Sequence, residues 1–348
     1  MQPYPGARQR DALLTSRMIA VEAGVSAATV SKVLNRRPGV SPATRERVEQ
    51  VLSRHRDIRR PSPPPPGLIV DLVLNDLDSQ WSAQVVAGAC EVLQAAGATM
   101  AVSGLQAEPA RTAAWLGQLR ERRCDGVILV ASEPTPRQHL ALASRGLPVV
   151  VMDPVGAVDA GVPTIGATNR AGAIAATEHL LALGHRRIAH LAGPSHFQSS
   201  RARADGFRTA MERAGQEVPH GWLRFGAFDT AAGRAQALAL LDDAARTGQP
   251  PPTAIFAASD HQALSVCTVL RERGLRVPDD VSVVGFDDLP LTGYGQPPLT
   301  TVRQPVREMA ALAARTLLRL VAGETVDPPR VEVRTPLVER QSTAPPPG

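Results

Sequence analysis

From residue 68 onward the chain alternates short, continuously apolar runs with longer stretches in which Ala, Leu and Arg recur at helical spacing. The runs are "LIVDLVL" (68–74), "TMAVS" (99–103), "GVILVA" (126–131), "PVVVM" (148–152), "RIAHLAG" (187–193), "TAIFAA" (253–258) and "VSVVGF" (281–286). Strands apolar on both sides belong to parallel sheets covered by helices on each face. Residues 83–96, 169–183, 230–246 and 260–273 supply helices of the right length. The pattern predicts an α/β body of two doubly wound parallel-sheet lobes, with ligands bound beyond the carboxyl ends of the strands. Asp153 follows "VVVM", Ser259 and Asp260 follow "IFAA", and Asp287 follows "VVGF". Arg201 lies in the loop-to-helix stretch after "HLAGP". Arg forks two hydrogen bonds to vicinal hydroxyls or a carboxylate, and Asp accepts two from a polyol. From the residues alone, Asp260 and Asp287 serve equally as caps and Arg201 as half of a surface ion pair.

The first sixty residues follow another pattern. Ala20, Gly24, Val30 and Val33 stand at the spacing of a helix-turn-helix, with a small residue at the helix crossing and glycine in the tight turn. Ser26 caps a predicted second helix over about 27–34, and Ser41-Pro42 starts a third that runs to about His55. Charge sharpens this picture. The chain has 38 Lys and Arg against 33 Asp and Glu, and residues 1–60 alone carry 12 against 5. The first sixth of the chain therefore holds a surplus of +7 and the remainder a balance of −2. A small basic unit beside a near-neutral larger one is expected where only the first faces phosphates. In such a unit the second helix enters the major groove of DNA. Its outward residues are Ala27, Ala28, Thr29, Ser31 and Lys32, with Ser26 before them and Asn35 after. Lys32 donates to a guanine edge or a phosphate, Thr29 and Ser31 donate to phosphates, and Ala27 and Ala28 offer methyl contact to thymine.

Composition narrows the alternatives. Hydrophobic residues make up 43% and charged residues 20%, as in a globular protein. Cys90, Cys124 and Cys267 are far apart and lack C-x-x-C spacing, so neither a disulfide framework nor a zinc site is expected, and no metal or cofactor. No apolar run approaches a membrane span and the first twenty residues lack a secretory core, so a cytoplasmic protein without membrane contact is expected. The sequence has no G-x-x-x-x-G-K-[ST], H-E-x-x-H, G-x-S-x-G or G-x-G-x-x-G, so an enzyme is not expected. His185, after Gly184, is expected at a helix C-terminus.

"AGVSAATVSKVLN" and "VSPATRERV" resemble the DNA-binding head of the LacI/GalR family of bacterial transcription regulators. "LGHRRIAHLAGP" (183–194), "RARADGF" (201–207), "DDVSVVGFDDLP" (279–290) and "PPLTTVRQP" (297–305) are similar to family signatures in the same order. The resemblance covers about residues 14–343. It implies a homodimeric repressor of operator DNA with a periplasmic-binding-protein-like body whose cleft takes a small effector, a sugar or glycoside first. It carries effector contact onto Arg201 and Asp287, onto Phe228 as an aromatic wall, and onto Asp153, Ser79 and Trp81. The alternative is a ligand-independent DNA-binding regulator with a vestigial pocket.

Departures from the family mark what is particular here. "DSQWS" (78–82) stands where the family shows "SNPFF", Ser259-Asp260 where it often has Asn-Asp, and Thr168 where an Asp is common. The expected divisions are a head at 1–58, a proline-rich linker at 59–67, a first subdomain at 68–165 and 302–328, a second at 166–301 and 329–343, and a tail at 344–348. In relatives the linker folds on DNA into a hinge helix. Here "RDIRRPSPPPPG" replaces helix formers with Pro61 and Pro63 to Pro66, which lack N–H donors and favour polyproline II. The linker is expected to act as a semi-rigid spacer, with Arg56, Arg59 and Arg60 adding phosphate contacts.

Overall fold

The computed structural model describes residues 20, 23–26, 29, 33, 40–41, 43–44, 46–48, 67–105, 108–121, 123–131, 142, 146–159, 161–327 and 329–347. The chain divides into two compact units, residues 1–63 and 64–348.

In the first unit Ala20, Ala23, Val33 and Val48 form a small buried core, with Val25 and Val40 packed against it. Gly24 turns the chain at φ +64°, a conformation that costs a residue with a Cβ. Ser26 Oγ then accepts the backbone N–H of Thr29 at 3.1 Å, and Ser41 Oγ that of Thr44 at 3.2 Å, so both serines cap the helices they precede. Val30 lies outside the described residues.

The second unit holds two six-stranded sheets. The first orders its strands β11-β5-β4-β3-β1-β2, all parallel. These are β1 (Ile69–Leu74), β2 (Thr99–Gly104), β3 (Gly126–Val130), β4 (Val149–Met152), β5 (Thr164–Ala167) and β11 (Arg330–Val333). The second sheet runs β12-β10-β9-β8-β6-β7, parallel except for β12. It contains β6 (Ile188–Ala192), β7 (Leu223–Phe225), β8 (Ala254–Ala257), β9 (Ser282–Asp287), β10 (Thr300–Arg303) and β12 (Leu337–Val338). The helices are α1 (Gln80–Ala95), α2 (Pro109–Glu121), α3 (Asn169–Ala182), α4 (Gln198–Arg213), α5 (Thr230–Thr247), α6 (Asp260–Glu272) and α7 (Val306–Val321). Each sheet is sealed on both faces. Leu72, Leu93 and Met309 pack on one side of the first sheet, and Trp115, Leu119 and Leu129 on the other. Phe207 and Phe286 cover one face of the second sheet, and Leu240, Val266 and Val283 the opposite face. Burial on both faces is why the central strands are predominantly apolar, with Asp71 in β1 and His190 in β6 among the exceptions.

Three features depart from the sequence expectation. The seven runs are strands, but β5, β7, β10, β11 and β12 join them; these are short and, at the edges, polar. Residues 330–333 pair with β5, so they extend the first sheet although the expected division gave 329–343 to the second lobe. The expected tail starts at a residue, Ala344, that is fastened to the second lobe. Ser342 Oγ donates to Val283 O at 2.6 Å, and buried His185 holds Ala344 O at 2.8 Å through Nε2 while Nδ1 meets Thr253 Oγ1 at 2.9 Å. His185 thus fastens the C-terminal segment, a role beyond a helix end.

Candidate functional site

The carboxyl ends of β1, β3 and β4 in one lobe and β6, β8 and β9 in the other line one cavity of about 540 Å³. The volume is in the range that encloses small ligands. Backbone strain gathers at the same strand ends. Ala131, Asp153, Asp287 and Asp288 adopt φ of +45°, +49°, +122° and +58°, conformations that non-glycine residues hold only where the surrounding structure fixes them.

Arg203 stands at the centre, its side chain only 4% exposed. Its Nε donates to Asn169 Oδ1 at 2.9 Å, Nη1 donates to the Ala258 carbonyl, and Nη2 donates to Gln304 Oε1 at 3.3 Å. The guanidinium lies 3.6 Å from the Phe286 ring centroid and 5.5 Å from that of Phe228. Asp287 faces it at 3.8 Å. Burial pushes the Asp287 carboxyl up to about 7; Arg203 opposes that shift and Asp153 adds to it. Burial likewise raises Asp153 against the pull of Arg203. Two carboxylates thus share one immobilised cation, and N–H groups of Arg203 not used by the protein remain for a ligand. Phe197 meets Phe228 edge to face, with centroids 5.9 Å apart, and Trp81 supplies a third aromatic surface from the first lobe. Gly193 is required behind this wall, because a Cβ there would penetrate the Phe228 ring. His261 also lines the cavity. Burial lowers its pKa while Asp76 and Asp229 pull it upward. Carboxylates, one guanidinium and flat aromatic faces are the groups that grip a polyhydroxylated ring.

Ser79, Trp81, Asp153, Phe228, Ser259 and Asp287, all expected from the sequence, line this cavity. Arg201 and Asp260 do not. The Arg201 guanidinium is exposed and donates to Ser195 O at 3.0 Å and His196 O at 2.7 Å. Two residues along an α-helix turn the side chain about 200°, so α4 points Arg203 inward and Arg201 outward. Asp260 is sealed in the second lobe, where it accepts Thr301 Oγ1 at 2.6 Å and Leu289 N at 2.7 Å. Sequence reasoning missed Arg203, Gln304, Phe197, His261, Asn75 and Asp76. The spacing to Phe207 would have identified Arg203, since i and i+4 share a helix face. Among the described residues no group of three His, Cys, Asp or Glu could hold a metal ion, and no helix is long and apolar enough to cross a membrane. In the head, Ser26 and Thr29 are described, with their hydroxyl oxygens 2.9 Å apart. Ala27, Ala28, Ser31, Lys32, Asn35, Arg56, Arg59 and Arg60 lie outside the described residues, as does the linker up to Pro66.

Two doubly wound lobes around a ligand-sized cleft, carried by a chain that opens with a helix-turn-helix, make a DNA-binding transcriptional regulator. Residues 17–56 match the family model for bacterial regulatory proteins of the lacI family, and residues 177–343 match the periplasmic binding protein-like domain. The HTH-type transcriptional regulator CelR of Thermobifida fusca is 33% identical over 94% of this chain and 98% of its own. The ribose operon repressor of Halalkalibacterium halodurans is 30% identical over 95% and 97%. Among solved structures, a CelR–cellobiose complex superposes with a TM-score of 0.73 at 33% identity, covering 94% of this chain and 99% of that one. The lac repressor dimer bound to operator and the anti-inducer ONPF superposes at 0.71 with 28% identity, covering 96% and 100%. The chain belongs to the LacI family of bacterial transcription regulators.

Proposed function

We propose that the protein is a cytoplasmic, homodimeric repressor whose affinity for operator DNA is set by a sugar or glycoside held in the interlobe cleft. The observation that carries this is Arg203, fixed by three hydrogen bonds, facing the buried Asp287 carboxyl and backed by aromatic rings, in a cavity large enough for a small saccharide. A cation restrained in this way pays little ordering cost on binding a hydroxylated ligand. The head reads the operator through Ser26, Ala27, Ala28, Thr29, Ser31, Lys32 and Asn35, with Arg56, Arg59 and Arg60 on phosphates, and the prolines after Arg60 space the two heads. Cellobiose and ribose, bound by related regulators, are the first ligands to try. The test is a thermal-shift screen of sugars and glycosides on the full chain, followed by operator binding with and without each hit. A hit raises the melting temperature by mass action and changes operator affinity. A regulator that binds operator with the same affinity whatever sugar is present would be the ligand-independent alternative instead.

A further inference from the structure

Gln304 follows β10, where the chain leaves the second lobe for α7, which packs on α1 of the first. Its backbone N–H donates to Asp287 O at 3.2 Å, which ties it to the second lobe. Its side chain is almost fully buried and lines the cavity. There Oε1 accepts from two donors on opposite walls. The indole Nε1–H of Trp81, on α1 of the first lobe, reaches it at 3.3 Å. The Nη2–H of Arg203, on α4 of the second lobe, also reaches it at 3.3 Å. An amide oxygen has two lone pairs, so this one atom is saturated by one donor from each lobe.

We propose that Gln304 is the positioning residue of the cleft: its side-chain oxygen bridges Trp81 of the first lobe to Arg203 of the second, so that a change at either wall is felt at the other. Two donors that share a single buried acceptor, here a half-buried indole and a buried guanidinium, are coupled, because moving one changes the geometry and polarisation of the other. A ligand that draws Arg203 toward itself loosens the hold on Trp81, and a ligand that stacks on Trp81 shifts the anchor of Arg203. The lobes then respond to an occupant as a pair. The ligand arm of the test rests on the proposed sugar effector; the bridge itself does not.

The decisive experiment needs no ligand. In the full chain, the emission of Trp81 is isolated by subtracting the spectrum of a Trp81→Phe variant, which removes the contributions of Trp115 and Trp222. Arg203→Lys is expected to shift that emission, although the lysine lies on the other lobe. The same Arg203→Lys change in a Gln304→Met background, which keeps side-chain length and removes the amide oxygen, is expected to leave it unmoved. Gln304→Glu, which keeps an oxygen acceptor at that position, is expected to restore the transmission. A Trp81 shift of equal size whether residue 304 is Gln or Met, or no shift with Gln, overturns the bridge. With cellobiose as probe, calorimetry is expected to show about tenfold weaker binding by Gln304→Met, the usual loss for a hydrogen bond to a charged group. Recovery by Gln304→Glu is expected, and undiminished affinity in Gln304→Met overturns the positioning role. A wild-type chain that ignores every sugar would sink the effector reading while the emission arm still decides the bridge.

Discussion

Along β1, β3 and β4 the first lobe seals away Val70, Leu72, Val73, Ile128, Leu129, Val150 and Met152, with Asp71 the one carboxyl side chain among them. The second lobe has the same winding, yet it buries His185, His190, Arg203, Gln236, Asp260, Gln262 and Asp287 among its Phe and Val side chains. Of these, Arg203 and Asp287 line the cavity, and Gln236 and Gln262 form a hydrogen-bonded web behind it. Gln262 Nε2 donates to Ala192 O, Ala227 O and Gln236 Oε1 at 3.2, 2.9 and 3.0 Å, and Gln236 Nε2 donates to Ala192 O at 3.1 Å. The loops after β6 and β7 that carry Pro194 and Phe228 are thereby held from behind. Asp288 extends the web toward the crossings between lobes, accepting Arg303 Nε at 2.7 Å and Arg340 Nη2 at 2.5 Å. Burial works against the Asp288 charge, but the two arginines outweigh it and its carboxyl titrates below the usual range. An apolar core fixes volume; a satisfied polar core fixes direction as well. The proposed site therefore divides between the lobes: the second holds Arg203 and Asp287 in a hydrogen-bonded frame, and the first contributes Trp81 and Asp153.

The largest test of that division compares Arg203→Met with Leu93→Ala. The methionine removes the cation that Asp287 and Asp153 face and leaves Asn169 Oδ1 and the Ala258 carbonyl without their donor. Breaking a buried ion pair from one side costs about 3–5 kcal/mol, and ligand binding is lost with it. Leu93, fully buried in the first lobe, costs about 3 kcal/mol as alanine through transfer and cavity terms alone. Urea unfolding at several pH values separates the two cases. The Arg203→Met cost is expected to grow as pH rises and the orphaned carboxyls ionise, while the Leu93→Ala cost stays flat. A pH-independent Arg203→Met cost would show that the carboxylates do not depend on the guanidinium.

A second difference is the imidazole of His190. It stacks on Phe256 with ring centroids 4.5 Å apart, and Nδ1 contacts Phe256 O at 2.9 Å. Burial lowers its pKa to about 3, against the pull of that carbonyl and with a further push from Arg203 and Arg208. A folded pKa below the unfolded one means that the unfolded chain binds the extra proton. Stability from this group is therefore complete above about pH 6.5 and falls away toward pH 3, by on the order of 5 kcal/mol. Asp287, raised to about 7, acts in the opposite sense: its contribution is complete below about pH 4 and is lost as pH rises through 7. The two slopes oppose each other, so the wild-type curve alone is ambiguous. His190→Phe is expected to remove only the acid-side loss, so that its stability relative to wild type improves steadily from pH 7 to pH 4.5 in urea titrations. A constant gap between the two proteins would place His190 outside the acid response.

This asymmetry explains what the sequence could and could not reveal. The runs "LIVDLVL", "GVILVA" and "VSVVGF" announce themselves because both faces of a central parallel strand are covered, so nearly every position is apolar. The edge strand "RVEV" alternates and the two-residue β12 has no period at all, so neither carries a signal at that length. Asp153, Ser259 and Asp287 were legible because a strand end points at the cleft. Arg203 was passed over for Arg201 because the start of α4, "QSSRAR", is polar on both sides and fixes no register. Counting back one turn from Phe207 fixes it. Asp260 shows the limit of the strand-end rule, since one residue into the helix the side chain turns from the cleft to the core. Gln304 lies within "PPLTTVRQP", but nothing in that run singles it out, because its importance lies in what two distant helices bring to its oxygen.

The smallest expected effect lies in two serines with the same local task. Ser79 caps α1 by accepting Ser82 N at 3.1 Å, and Ser259 caps α6 by accepting Gln262 N at 3.1 Å. Ser79 Oγ also donates to Ser82 Oγ at 3.0 Å, but Ser82 keeps its own bond to Asp76 O at 2.6 Å, so Ser79→Ala is expected to cost little beyond the ~1 kcal/mol of a lost N-cap hydroxyl. Ser259 Oγ also donates to Phe228 O at 2.7 Å, holding the aromatic wall onto the end of β8. Ser259→Ala therefore leaves a carbonyl short of a donor as well as a helix without its cap, and about 2 kcal/mol is expected. The same variant should speed amide exchange across residues 226–230, whereas Ser79→Ala should leave that loop untouched. If the second lobe is the rigid half-site, a cap there does double duty while its counterpart in the first lobe caps a helix. Equal costs and unchanged exchange at 226–230 would mean that the Phe228 wall is held by Gln262 and Gln236 alone, and that the two lobes differ less in rigidity than in charge.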